Sequence, residues 1–496
     1  MTDCAGGAAP AGTFTSSDPA TGDVVGSFPV YDRAAVDAAV DRARDAAAWW
    51  AGIGFSGRGE RLRAYAAVLA RRMRELAELI HREGGKPVDD ALLELVLTVD
   101  HLRWAAGHAE RVLRRRQVPP GLLMPNVAAS VEYLPYGVVG VIGPWNYPVF
   151  TPMGSIGYAL AAGNAVVFKP SEHTPMVGRW LAEAFAEVVP ERPVFQVVTG
   201  LRDTGAALSA ARVDKIAFTG STRTAKQVMA AAAESLTPVV IECGGKDPLI
   251  VAEDADLDAA VDGALWGGFT NGGQTCVGVE RVYAVDPVYD DFVARLASRA
   301  QALRPGSDRW ASYGPITVPD QVDVIRRHID DALARGARAV VGGPESVRPP
   351  YVDPVILVDV PPDAAAEQEE TFGPVLTVSR VGSLDAAVTR ANGTGYGLGA
   401  TVYSRERGEE LAHRLRTGMV SVNSVVTFAA VPALPFGGVG SSGFGRIHGA
   451  DGLREFSRVR SVSRARFPSP LAVMTFRRSE RAVSRLVNTV QRIYGR

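Results

Sequence analysis

Between residues 165 and 242 the chain alternates short β-branched runs with longer helical ones. This rhythm restricts the fold more than any other feature of the sequence. Strands are expected over 165–168, 194–198, 215–218 and 238–242, with helices over 175–189, 203–211 and 222–234. Strand, helix, strand in succession implies a parallel sheet covered by helices on both faces, a doubly wound α/β fold. Two shorter strands, 131–133 and 137–142, come before it. The N-terminal part is helical by its spacing, over 32–50, 58–82 and 88–116, and the last of these stops at Pro119-Pro120-Gly121. A second α/β series follows, with strands over 282–285, 339–341, 375–378 and 419–422 and helices over 289–303 and 321–335. No internal repeat is present, and 496 residues suffice for about three domains.

Composition excludes several classes of function. A hydrophobic share of 47% beside 22% charge is that of a soluble globular chain. A net charge of -1 gives no electrostatic case for nucleic acid as a partner. The three cysteines, Cys4, Cys243 and Cys276, are too far apart in sequence for a disulfide framework or a metal-ligand cluster. Met1–Pro10 has neither a basic start nor an apolar core of the secretory kind. No run is long and apolar enough to span a membrane, so the cytoplasm is the expected location.

The chemistry concentrates in a few short segments. Cys276 sits in the uncharged, glycine-rich Gly272-Gly273-Gln274-Thr275-Cys276, and Glu242 ends the apolar strand 238–242. A thiol and a carboxylate able to activate water are the two parts needed to make and break a thioester. Alone, such a cysteine also has the look of a buried small hydrophobe. In Pro144-Trp145-Asn146-Tyr147-Pro148 two prolines fix a turn, and Asn146 could donate its amide to a developing oxyanion together with the backbone N–H of Cys276. A packed turn with a capping Asn is the plainer alternative. Lys169 and Glu172 stand at the carboxyl end of a parallel strand, where ligands of such sheets bind; a solvated charge pair would look the same. Phe218-Thr219-Gly220-Ser221 leads into a helix N-terminus suited to pyrophosphate, although no G-x-G-x-x-G is present. Glu370 and Phe372 in Glu369-Glu370-Thr371-Phe372-Gly373-Pro374 place a carboxylate near an aromatic ring ahead of a strand, or form an acidic surface turn.

Together and in this order, these segments resemble the aldehyde dehydrogenase superfamily, from about Thr15 to Arg460. The matching pieces are PWNYP at 144–148, FKPSE at 168–172, FTGS at 218–221, IECGGK at 241–246, GQTC at 273–276, EETFGP at 369–374 and PFGG at 435–438. The resemblance implies a Rossmann-type dinucleotide-binding domain over 1–117 and 137–244 and an α/β catalytic domain over 245–454. It further implies a small β-flap for oligomerisation over 118–136 and 455–467, leaving 468–496 as a basic amphipathic tail. Carried over by motif, Cys276 is the nucleophile, Asn146 the oxyanion donor and Glu242 the base that activates the hydrolytic water. Lys169 and Glu172 would hold the adenosine ribose, Trp145, Gly220 and Ser221 would lie against the pyrophosphate, and Glu370 would hold the nicotinamide ribose beside Phe372. The implied reaction is oxidation of an aldehyde to the acid with NAD or NADP through a thiohemiacetal and a thioester, with no metal. NAD is the expected cofactor, because the Glu172 carboxylate would repel a 2′-phosphate. The implied assembly is a homo-oligomer, dimer or tetramer.

Two other functions fit the scaffold: a CoA-acylating dehydrogenase and a catalytically silent binding protein. A general base for water speaks against the first, and the intact Cys276, Glu242 and Asn146 against the second. An apolar aldehyde is the expected substrate. Val149, Phe150, Met153 and Phe436 should wall its tunnel with the charge-free loop 425–436, and Gly154 should widen the entrance. The segment Arg446-Ile447-His448-Gly449 is similar to the branch that oxidises medium-chain aliphatic and aromatic aldehydes. Departures from the superfamily include Ala225, where many relatives have a second glycine, and Ser155 and Ile447, where many have a Lys–Glu proton relay. From Arg464 onward there are eight arginines against the single acid Glu480, with apolar residues at helical spacing. A tail helix packed on a neighbouring subunit is preferred there over a basic helix lying on an anionic membrane.

Overall fold

The computed structural model describes residues 12–469 and 473–495; Met1–Pro10, Cys4 and Arg496 lie outside them. The chain divides into two compact units. One runs up to Val112 and resumes over Pro135–Ser457; the other takes Leu113–Leu134 and the segment from Arg458 onward.

The first unit opens with a hairpin, β1 (Thr13–Ser17) and β2 (Val24–Pro29). Four helices follow: α1 (Arg33–Gly52), α2 (Gly54–Arg71), α3 (Met73–Gly84) and α4 (Val88–Leu113). The helix expected over 58–82 is thus two helices. They meet at Arg72, whose guanidinium bonds Glu75 and Glu187. The helix expected to reach 116 stops at Leu113, and β3 (Arg116–Val118) pairs instead with β4 (Val127–Pro135). The second unit is built on a three-stranded sheet in which β4 lies between β3 and the strand Ser457–Ala465.

In the first unit the alternating series forms as expected. Its elements are β5 (Val138–Ile142), α5 (Phe150–Ala162), β6 (Ala165–Lys169), α6 (Pro175–Val188), β7 (Phe195–Val197), α7 (Arg202–Ser209), β8 (Lys215–Thr219), α8 (Thr222–Ala233) and β9 (Val239–Glu242). The five strands are parallel in the order β9-β8-β5-β6-β7, and the short strand Gly443–Phe444 closes the edge antiparallel to β9. The chain starts in the middle at β5, moves outward to β7, then returns to β8 on the other side of β5. The strand order therefore reverses between β5 and β8, and the carboxyl ends of these two strands define the crevice where such sheets hold ligands. β5 runs into the Trp145-Asn146 turn, β8 into Gly220-Ser221, β6 into Lys169 and β9 into Glu242.

A seven-stranded sheet carries the cysteine. At its centre are β10 (Asp247–Val251) and β11 (Val279–Val285), with α9 (Leu257–Phe269) crossing between them. β11 begins at Val279, earlier than the expected 282. Its polar start is buried: Glu280 pairs with Lys246, and the Arg281 guanidinium donates to the carbonyls of Lys246 and Ala391. Those two charges disguised the strand. After Asp247, strand β10 is an apolar run with no alternation, so periodicity could not single it out.

Candidate active site

The loop after α9 positions the thiol. Asn271, Gly272 and Gly273 all take left-handed backbone, with φ of 52°, 65° and 73°. Glycine is needed at 273, because a Cβ there would stand 2.2 Å from the carbonyl oxygen of Gly373. The turn is then fixed by amides. Gln274 donates to the carbonyls of Asn271 (2.8 Å) and Pro315 (3.1 Å) and accepts from the Thr317 N–H (2.9 Å). Cys276 follows, partly exposed on the floor of a cavity of about 280 Å³.

Asn146 reaches this loop from the end of β5. Its side-chain amide donates to the Gln274 carbonyl at 2.9 Å, while Asn271 donates to the Asn146 carbonyl at 3.2 Å. An amide NH₂ carries two hydrogens, so one N–H of Asn146 is left for an oxyanion beside Cys276. The neighbouring Tyr147 hydroxyl bonds Thr275 at 3.0 Å, tying the same two segments together again.

Glu242 ends β9 with both carboxylate oxygens buried and neither in a hydrogen bond of good geometry. It faces the Cys276 thiol and the Thr219 hydroxyl, and burial pushes its carboxyl up to about 7. Burial, reinforced by the charges of Glu242, Glu370 and Asp247, holds the Cys276 thiol well above the ordinary range. A carboxyl near 7 facing the thiol is placed to act as a base for water that attacks a thioester there.

The residues that the sequence assigns to a dinucleotide are placed as follows. Glu370 lies over the Gly244-Gly245 turn and accepts the Gly245 N–H at 3.0 Å; a Cβ on Gly244 would collide with its oxygens at about 2 Å. Burial and the charge of Glu280 raise the Glu370 carboxyl to about 8. Phe372 meets Trp145 edge to face, with centroids 5.6 Å apart. Ser221 caps α8 by accepting the Thr224 N–H, so the open N-terminus of that helix follows Gly220 at the crevice. Lys169 Nζ is buried and lies 3.5 Å from the half-exposed Glu172 carboxylate. Burial is the largest influence on Glu172 and would raise it, but the Lys169 charge, the residue's own backbone N–H, the His173 charge and the Lys169 hydrogen bond together keep the carboxyl below its usual value. These donors and acceptors, together with the N-terminus of α8 at the reversal of strand order, fit a dinucleotide.

The cavity over Cys276 corrects several sequence expectations. Phe150 and Phe436 line it, but Val149 and Met153 do not. Val149 is fully buried and its N–H is held by Glu94; Met153 is buried within α5. Gly154 is not at an entrance, since a Cβ there would stand 2.6 Å from Nε2 of the buried His448. The wall is also not free of charge. Helix α4 and the residue pair before it place Lys86, Asp90 and Glu94 along the cavity. Lys86 Nζ bonds Glu94 at 2.5 Å and sits 3.6 Å above the Tyr147 ring, and the second Glu94 oxygen accepts the Val149 and Phe150 N–H groups. Sequence reasoning missed these three residues. Their signal was a spacing of four, with Glu94 set in an otherwise apolar helical run. It also missed Leu93, Val96 and Trp266, which line the cavity and remain about half exposed, forming an apolar rim.

A partly exposed thiol facing a buried carboxyl, an amide donor tied to the same loop and a doubly wound sheet with its crevice at the reversal of strand order fit a thiol-dependent dehydrogenase. The comparisons with known proteins carry this further. The model of the Aldehyde dehydrogenase family matches residues 8–462. A 4,4'-diapolycopene aldehyde oxidase of Methylomonas sp is 38% identical over 462 residues, 92% of this chain and 87% of that protein. Among solved structures, lactaldehyde dehydrogenase from Escherichia coli is 30% identical with a TM-score of 0.88, covering 92% of this chain and 96% of the other. An NADP dependent enzyme of E. coli is 34% identical with a TM-score of 0.87, covering 92% and 95%. The chain belongs to the aldehyde dehydrogenase family. It is an oxidoreductase that converts an aldehyde to the carboxylic acid with NAD or NADP as acceptor, through a cysteine-bound thioester that water hydrolyses.

Proposed function

We propose that Cys276 is the nucleophile, Asn146 the oxyanion donor and Glu242 the base, and that the substrate is an uncharged, apolar, long aldehyde. The observation that carries the assignment is the Glu242 carboxyl, buried against Cys276 with both oxygens unpartnered. Cys276 attacks the aldehyde carbon as its thiolate, the thiol proton having passed to solvent. The new oxyanion is held by the remaining Asn146 N–H and the backbone N–H of Cys276. When bound, the nicotinamide supplies the hydride acceptor. Glu242 then takes a proton from water as that water attacks the thioester, and the acid leaves with the Cys276 thiol restored. Glu370 and Phe372 would flank the nicotinamide half of the cofactor, Trp145, Gly220 and Ser221 its pyrophosphate, and Lys169 and Glu172 its adenosine ribose. An ionised Glu172 in that place repels a 2′-phosphate and supports NAD over NADP.

The cavity supports the substrate class. Its one cation, Lys86, is already paired with Glu94. A carboxylate on the substrate would therefore be buried without a free partner. The exposed rim of Leu93, Val96 and Trp266 extends the apolar path beyond the cavity, so a chain too long for about 280 Å³ continues over it. The aldehyde of 4,4'-diapolycopene, which gives the Methylomonas relative its name, is a substrate of that kind. The test is NADH formation with a panel of aldehydes, with and without CoA. The proposal expects turnover that needs no CoA and favours long apolar aldehydes. A requirement for CoA, or a strong preference for a carboxylate-bearing aldehyde, would overturn it.

A further inference from the structure

The helix Glu480–Tyr494 stands apart from every other long helix, because none of its residues is buried. Placed on a wheel of about 100° per residue, its apolar side chains Val483, Leu486, Val487, Val490, Ile493 and Tyr494 fall within one arc of roughly 120°, and Arg481, Arg485 and Arg492 cluster within roughly 40° on the opposite side. Val483, Val487 and Ile493 are each about half exposed. Just ahead of the helix, Met474 is 84% exposed and Phe476 is fully exposed, and Arg477 and Arg478 follow them directly. Over the described residues 473–495 the only acid is Glu480, which sits in the first turn of the helix where a negative charge is favourable.

We propose that this segment is a membrane-surface anchor whose partner is an anionic lipid bilayer. An apolar face none of whose side chains is buried, a strongly basic opposite face and low overall hydrophobicity are the physical marks of a helix lying in the lipid interface. Phe476 and Met474 would enter the acyl boundary with the helix face, and the five arginines would meet lipid phosphates. No helix among the described residues is long and apolar enough to cross a bilayer, so this one lies along the surface. The rest of the sequence favours lipid over a second subunit. The family match ends at residue 462, so the segment lies outside the part of the chain that the family model covers. The charge is also segregated: the whole chain has a net charge of -1 although this segment is strongly basic. An anionic surface recruits the segment while the remainder of the chain is repelled, which leaves the tail as the point of contact.

The experiment is flotation of the purified full-length protein with vesicles of phosphatidylcholine alone and of phosphatidylcholine with phosphatidylglycerol. The proposal expects co-flotation with the anionic vesicles, little with the neutral ones, and loss of binding as salt is raised. Replacing Arg481, Arg485 and Arg492 together by Ser should weaken anionic binding roughly a hundredfold. Val487→Asp should abolish it. In both variants NADH formation from a water-soluble aldehyde should stay at the parent rate, since the segment is no part of the reaction site. Absence of flotation with anionic vesicles would overturn the proposal. So would equal binding to neutral vesicles, or a change in the oligomer mass of Val487→Asp with vesicle binding intact, which would show the apolar face packing against a second copy of the chain.

Discussion

Replacing Glu242 with Gln separates the two halves of the reaction. The substitution keeps the shape of the side chain, and neither Glu242 oxygen is held in a hydrogen bond of good geometry. The amide cannot accept a proton from water, so the thioester should form and then persist. A positioned general base contributes about 10²–10⁴-fold, so steady-state turnover should fall by that factor. The first turnover should survive as a burst of NADH close to one per Cys276. The pH profile gives a second reading. Glu242 titrates near 7 because burial disfavours its charge. Below that value it is protonated and cannot act as a base, so deacylation in the parent enzyme should rise with pH through about 7 and then level off. In Glu242→Gln that limb should vanish. Rapid-mixing absorbance of NADH across pH measures both effects, and thermal unfolding verifies that the variant is folded. An unchanged steady-state rate, or a pH limb near 7 that persists in the variant, would refute the reasoning.

Four further outcomes follow from the same geometry. Asn146→Ala removes one oxyanion donor and should lower kcat about 10²–10³-fold with little change in NAD affinity; a normal kcat would remove Asn146 from the site. Glu172→Gln should raise kcat/KM with NADP relative to NAD, and a parent enzyme that already prefers NADP would refute the role given to Glu172. Along a series of straight-chain aldehydes kcat/KM should rise about fourfold for each added CH₂ until the cavity is full, from about 0.8 kcal/mol of burial each; a flat series would mean that the cavity does not select. Trp266→Ala should raise KM for long aldehydes and leave short ones unaffected, and equal effects on both would place Trp266 outside the substrate path.

Much of the fold was legible because its strands and helices differ clearly in period. The doubly wound series from β5 to β9 has sharp turns and alternating element lengths, and the sequence places its elements within a few residues. Legibility failed where burial was complete or polar. Strand β10 is buried on both faces and shows no alternation. The start of β11 carries Glu280 and Arg281, whose charges are satisfied only by groups distant in sequence. In the site, Cys276, Glu242 and Asn146 stand in short fixed loops with distinctive neighbours, and their segments identified the family before any contact was known. The substrate walls were harder to read, because they depend on which way side chains point. Val149 and Met153 follow the Asn146 turn in sequence, but the first turns of α5 direct them away from the cavity. Lys86, Asp90 and Glu94 come from a separate segment that nothing in the sequence connects to Cys276.

The central claim is that the substrate becomes bonded to Cys276 and is released by Glu242. Peptide mapping by mass spectrometry of Glu242→Gln, after one turnover with NAD and hexanal, tests it most directly. The account predicts an acyl group on the peptide containing Cys276, at close to one per chain, and none in a Cys276→Ala enzyme treated in the same way. NADH produced with Cys276 unmodified, or an acyl group on any other residue, would contradict it.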